Sequence, residues 1–199
     1  MKYIVGIIIG FTLLAGVIHR LNRDHIEATH TNNGLGVHGF SLTQIDGTPM
    51  SLSEYKGKII LIVNVASRCG LTPQYAELET LYKRYRAKGV IVLGVPANNF
   101  LNQEPGTNEE ILTFCKTTYD VSFPISQKIS VKGKDIHPLY QHLTTQTQNK
   151  DLQGAIKWNF AKFLIDQNGV VVARYSPTES PLSSKITNDI DRLLAGKPL

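Results

Sequence analysis

The stretch Ile59 to Val65 constrains this chain more than any other, because it reads IILIVNV and then stops. A dense β-branched run of this kind suits a strand buried on both faces in the middle of a sheet. It breaks at Ala66-Ser67-Arg68-Cys69-Gly70. A helical pattern restarts at Thr72-Pro73, a favourable N-cap and first helical residue. Tyr75, Leu78, Leu81 and Tyr82 recur at helical spacing, Ala87 and Lys88 fall in the last turn, and Gly89 supplies the stop, so a helix is expected over 72–88. Cys69 therefore lies on the loop between a central strand and a helix N-terminus, where backbone N–H groups and the helix dipole favour a nucleophilic thiolate. A free cysteine is more often a small buried apolar residue. Here its place on the turn argues for chemistry.

The chain has 199 residues, enough for one domain with a good core plus extras. Its net charge of +5 comes without a dense Lys/Arg run, which argues against nucleic acid as a partner. Two cysteines, Cys69 and Cys115, are too few for a disulfide scaffold but enough for one redox pair.

The N-terminus reads as a separate object. Met1-Lys2 is a short positive start, Tyr3 to Ile18 carries no charge, and His19-Arg20 follows. The apolar run is slightly short for a spanning helix and suits a signal-peptide core, yet no small-x-small cleavage site follows it. Residues 1–20 are therefore expected to be a removed signal peptide or an uncleaved membrane anchor, with membrane contact through 3–18. Residues 21–38 have linker composition, and 39–199 form the globular domain. Export would make the protein periplasmic, or anchored in the inner membrane facing the periplasm. His19, His25, His30 and His38 fall in or beside the linker without tight ligand spacing, so they read as solvated and no metal site is expected.

Within the domain, Phe40 to Ile45 alternates apolar and polar, and Asp46-Gly47 turns it into a hairpin. Ser51 with Glu54 reads as a capping box for a short helix. A second apolar run, Val90 to Val95, completes a βαβ unit with the first. Pro96 to Gly106 is an aperiodic loop. Thr107 and Glu110 form a capping box for a helix through about Thr117 that carries Cys115, with a β-branched end lacking a glycine cap that should fray. Pro138 to Leu143 is a short helix and 144–156 a polar loop. Trp158 to Ile165 and Val170 to Tyr175 form an antiparallel hairpin, and an amphipathic helix over 181–194 buries Ile186, Ile190, Leu193 and Leu194. This order, β-α-β-α-β-β-α after an N-terminal β-hairpin, is that of a thioredoxin-like α/β fold, a central mixed sheet flanked by helices.

Where a dithiol oxidoreductase carries C-x-x-C, this loop reads Cys69-Gly70-Leu71-Thr72, so no local disulfide can form. An accessible thiolate can still attack a peroxide O–O bond and pass to sulfenic acid. Such chemistry needs hydrogen-bond donors that do not compete as bases, and indole and amide N–H groups qualify. Trp158, Asn159 and Gln103 lie on loops expected to gather at the same sheet edge. Composition and spacing make that constellation available without singling it out, since a lone tryptophan is usually core and loop amides are usually solvated.

The motifs NVASRCGLT (Asn64–Thr72), NNFLNQEPG (Asn98–Gly106) followed by Thr107-Asn108-Glu109-Glu110-Ile111, FPI (Phe123–Ile125), HPLY (His137–Tyr140) and WNFAKFL (Trp158–Leu164) together resemble the glutathione peroxidase family, over roughly residues 39–194. The resemblance implies a thioredoxin fold and reduction of hydroperoxides, with no bound cofactor. Residue by residue it implies a catalytic tetrad of Cys69, Gln103, Trp158 and Asn159, a hydroperoxide substrate and regeneration by a thioredoxin-like protein or glutathione. Two departures stand out. Ala97 occupies a position where the family often has a cysteine. Cys115, the candidate resolving residue, stands one place upstream of the plant-type position, a rotation of about 100° on a helix, so packing and resolving roles both remain open. The short 144–156 loop resembles that of small monomeric members. Two other readings of the same residues are a monothiol disulfide oxidoreductase and a membrane-tethered redox sensor that passes on Cys69 oxidation.

Overall fold

The structure is a computed structural model that describes residue 34 and residues 36–199; the expected signal or anchor over 1–20 and nearly all of the 21–38 linker lie outside the described residues. Among the described residues, no helix is long and apolar enough to cross a membrane. Val37 and His38, read from sequence as linker, pack into the fold instead. Both are buried, and Val37 N–H donates to Gly169 O at 2.8 Å.

Ile59–Val65 forms the central strand, β3, and all of its residues are buried, as expected for a strand covered on both faces. It pairs in parallel with β4 (Val90–Pro96) and antiparallel with β5 (Lys162–Ile165), which pairs antiparallel with β6 (Val171–Tyr175). The sheet order is β4-β3-β5-β6, and the N-terminal hairpin of β1 (Ser41–Thr43) and β2 (Pro49–Ser51) is a separate two-stranded sheet. Alternation along β3 splits the core in two. Ile59, Leu61, Val63 and Val65 pack with residues of α1 (Gln74–Tyr85), α2 (Asn108–Tyr119) and α4 (Ser184–Leu194). Ile60 and Ile62 face the hairpin, α3 (Pro138–Gln141) and Leu143. Each large apolar side chain buried this way contributes about 1.5–3 kcal/mol. The sheet is therefore a rigid floor for whatever its strand ends carry.

Three local expectations change. Thr72 is not the N-cap of α1, because the helix begins at Gln74 with Pro73 at its cap. The segment 158–165 is not strand throughout, because β5 starts at Lys162 and Trp158–Phe160 form a turn with Phe160 at φ +66°. The C-terminal end of α2 is not left uncapped. Asp120 takes the left-handed conformation, at φ 52°, and its N–H donates to the carbonyls of Cys115 and Lys116. Asp120 also pairs with Lys83 at 2.9 Å, while Glu79 accepts from the N–H and hydroxyl of Ser122 at 2.8 and 2.7 Å. A short polar side chain tolerates the left-handed region where glycine was sought, and α1 supplies partners that sequence spacing does not reveal. The expected capping box of Thr107 and Glu110 is present in both directions. Gly89 ends the α1 segment at φ +94°, a conformation that suits glycine.

Candidate active site

Cys69 follows β3 on a loop that leads by successive turns into α1. Its backbone N–H donates to Thr72 Oγ1 at 2.9 Å, and that hydroxyl donates to Ala66 O at 2.9 Å. Thr72 therefore braces the loop from inside rather than capping the helix. Leu71 N–H donates to the Cys69 sulfur at 3.4 Å, a backbone donor placed where negative charge on sulfur would be stabilised. The cysteine is 7% exposed, so it is nearly enclosed by the fold.

Three sequence-predicted partners meet beside this loop. Gln103 is half-buried, and its carbonyl accepts from the N–H of Arg68, the residue before Cys69, at 3.0 Å. Asn159 is fully buried, and its Nδ2 donates to Gln103 Oε1 at 2.8 Å. With Oε1 so occupied, the Gln103 amide presents its NH2 as the group left for a reacting partner. Trp158 is half-buried, bridges both core clusters, and lies with its ring centroid 5.7 Å from that of Phe100. The motif segments around residues 69, 103 and 158–159, widely separated in sequence, thus share one end of the sheet.

The supports of this cluster include residues to which the motifs gave no role. Asn64, buried near the end of β3, donates from Nδ2 to Trp158 O at 3.2 Å and accepts Phe160 N–H on its own carbonyl at 2.6 Å. A polar residue inside an otherwise apolar strand was the available signal for it. The loop bearing Gln103 is held by Asn98, whose Oδ1 accepts Glu104 N–H at 2.8 Å, and by Lys128, whose Nζ donates to the carbonyls of Glu104 and Gly106 at 3.1 and 2.7 Å. Glu104 itself is fully buried. Burial pushes its carboxyl up, against the Ser67 hydroxyl and N–H and the charges of Lys128 and Arg68, which pull it down. A cavity of about 290 Å³ lies between these elements, lined among others by Ser67, Arg68, Glu104 and Phe114.

Cys115 sits elsewhere, fully buried in the interior of α2, in the same core cluster as Cys69. Burial raises its thiol to about 11, and the Glu104 charge adds to the rise, while a hydrogen bond with the Tyr75 hydroxyl opposes it. Both cysteines are free thiols. Among the described residues, no group of three His, Cys, Asp or Glu side chains is arranged to hold a metal. His38, read as solvated, is buried, and desolvation lowers its imidazole.

Comparison with known proteins gives this geometry a family. Residues 37–144 match the family model for glutathione peroxidase. The chain is 53% identical to a glutathione peroxidase homolog from Halalkalibacterium halodurans, over 80% of this chain and all of that one. It is 47% identical to the hydroperoxy fatty acid reductase of a Synechocystis strain, over 79% and 95% of the two chains. The crystal structure of Trgpx in apo form superposes with a TM-score of 0.65 at 34% identity, covering 82% of this chain and 97% of that one.

Proposed function

Because this chain belongs to the glutathione peroxidase family and is a thiol peroxidase that reduces hydroperoxides, we propose that Cys69 is its peroxidatic nucleophile, with Gln103, Trp158 and Asn159 as partners. The observation that carries the assignment is the chain of contacts from Arg68 N–H to the Gln103 carbonyl and from the Gln103 side chain to Asn159. It links the three motif segments and supports reading them as one site beside the Cys69 loop.

The Cys69 thiolate attacks the distal peroxide oxygen. The O–O bond breaks, Cys69–SOH forms, and the departing alkoxide or hydroxide leaves as alcohol or water with the proton that came from the thiol. Leu71 N–H faces the sulfur. The Gln103 amide and the Trp158 indole donate hydrogen bonds where negative charge moves from sulfur to oxygen, and neither can act as a base. Asn159 orients Gln103.

Reduction follows by one of two routes. Cys115 condenses with the sulfenic acid, giving a disulfide and water, and a thioredoxin-like dithiol then reduces the disulfide; otherwise an external thiol such as glutathione takes the place of Cys115. Steady-state peroxide consumption by the full chain, with thioredoxin and its reductase or with glutathione and its reductase, separates the routes. Turnover with neither reductant would overturn the catalytic reading in favour of a sensor oxidised once.

Fatty acyl hydroperoxides are proposed as substrates alongside hydrogen peroxide. The name of the Synechocystis relative supports this, as does an exposed Leu101 on the turn that carries Gln103. The charged start and apolar core of residues 1–18 support export, with the domain periplasmic or tethered to the inner membrane, and the short 144–156 segment supports a monomer. Fractionation that finds the full-length chain soluble in the cytosol would refute the location, and a dimer mass by light scattering would refute the monomer.

A further inference from the structure

Lys162 is a fully buried lysine in the first position of β5, between Val63 of β3 and Tyr175 of β6. Among the described residues it forms no salt bridge. Its Nζ is instead spent on carbonyls, those of Phe160 at 2.8 Å, Pro177 at 3.2 Å and Ser176 at 3.5 Å. The nearest opposing charges are Glu179, after β6, and Glu77 on α1, and the Glu77 carboxylate is already taken by the Ser180 hydroxyl. Its register neighbour Tyr175 is engaged elsewhere, its hydroxyl donating to Asp189 at 2.8 Å. Burying an ammonium without a carboxylate is costly, and burial lowers this one to about 8. A charge held at that cost needs a purpose that an apolar side chain would not serve.

The bonds show what it holds. Phe160 is in the left-handed conformation, which a bulky aromatic residue adopts only when its surroundings over-determine it. Its N–H is held by the Asn64 carbonyl and its C=O by Lys162, one on each side of the residue. That turn is the one presenting Trp158 and Asn159. Pro177 O, the second acceptor of Lys162, also accepts from Gln74 Nε2 at 2.8 Å, and Gln74 opens the helix that follows the Cys69 loop. One ammonium therefore ties the Trp158-Asn159 turn to the start of α1.

From this bridge we infer that Lys162 is a positioning residue for peroxide reduction, setting the Trp158-Asn159 turn against the Cys69 loop through the carbonyls of Phe160 and Pro177. The inference rests on the proposed part of Trp158 and Asn159 in the reaction.

Lys162→Met keeps the length and removes the charge. Three readouts follow it: the rate of Cys69 oxidation by hydrogen peroxide, the rate at which the oxidised protein is reduced, and the emission of Trp158, the only tryptophan of the chain. Oxidation is expected to slow about tenfold, as small misplacements of reacting groups do, while reduction keeps its wild-type rate and the emission shifts. Wild-type oxidation in a folded Lys162→Met protein overturns the inference, and so does equal slowing of both half-reactions, which would mark a structural role alone. If Lys162→Met does not fold, Gln74→Met decides. It cuts the bridge without touching the charge, so oxidation slowed a few-fold supports the inference and an unchanged rate refutes it. Trp158→Phe separates the two layers: a wild-type rate there sinks the site reading itself, whereas slow Trp158→Phe with fast Lys162→Met sinks only the role of Lys162.

Discussion

Cys69 and Cys115 are the same side chain in the same core cluster, and the fold treats them in opposite ways. Cys69 stands at a strand end, on a loop whose N–H groups are not consumed by a helix, and one of them faces its sulfur. Cys115 stands inside a capped helix whose backbone is already paired, and its thiol is wholly buried and pushed up to about 11. Burial by itself does not separate them, since Cys69 is only 7% exposed. Reactivity follows from which polar groups surround a buried sulfur. The loop at the strand end brings a free backbone N–H to Cys69, whereas around Cys115 burial outweighs the Tyr75 hydroxyl.

The comparison is broken most directly by exchanging each sulfur for oxygen. Cys69→Ser should abolish peroxide turnover with either reductant while the fold persists, and Cys115→Ser should oxidise at the wild-type rate in the first turnover. Retained turnover in folded Cys69→Ser would end the assignment. Next in size are the partners. Gln103→Ala and Trp158→Phe should each slow stopped-flow oxidation of Cys69 by about ten- to hundredfold, the scale of lost transition-state donors.

The role of Cys115 is sharpened by mapping disulfides after one equivalent of peroxide. A Cys69–Cys115 linkage in wild type, with Cys115→Ser halted at the sulfenic acid under thioredoxin, would make Cys115 resolving. Cys69 sulfenic acid or a glutathione adduct alone would make it packing. The raised thiol also has a thermodynamic signature. The folded state keeps the Cys115 proton up to about pH 11, whereas an ordinary thiol loses it near 9.0. Between those values the unfolded chain binds fewer protons, so this contribution to stability is present below pH 9 and is lost as pH rises to 11. Denaturant titrations should show that decline flattened in Cys115→Ala, by up to about 2–3 kcal/mol. The smallest effect concerns the end of α2. Disulfide formation requires Cα atoms within about 7 Å, and a Cys115 that reaches Cys69 by loosening its helix would have to release an end fastened by Asp120 and Glu79. Asp120→Ala removes the exposed Lys83 pair, a solvent-screened contact, and strains the left-handed position. It should speed disulfide formation two- to fivefold, and an unchanged rate would mean that this end does not gate the exchange.

Much of this was legible in the residues. A central strand buried on both faces, a loop bearing Cys69 and a capping box at Thr107 follow from local pattern, because periodicity and capping are short-range physics. The four site residues were legible only as a motif resemblance. Nothing in Gln103 or Asn159 taken alone distinguishes them from solvated amides.

Three things depended on tertiary contacts. Thr72 looked like an N-cap because its neighbours in sequence permit one, but the loop fold turned its hydroxyl to Ala66 and Cys69 instead. The end of α2 looked frayed because no glycine follows it, but Lys83 and Glu79 on another helix close it. Lys162 sits in the apolar strand-like segment WNFAKFL, and only the folded chain shows which carbonyls its ammonium meets. Local sequence therefore decided most of the elements and the place of Cys69 on the loop between strand and helix. The partners of each polar group were decided by tertiary structure, since a hydrogen bond depends on distance in space and the residues that meet here lie as far apart as positions 74 and 177.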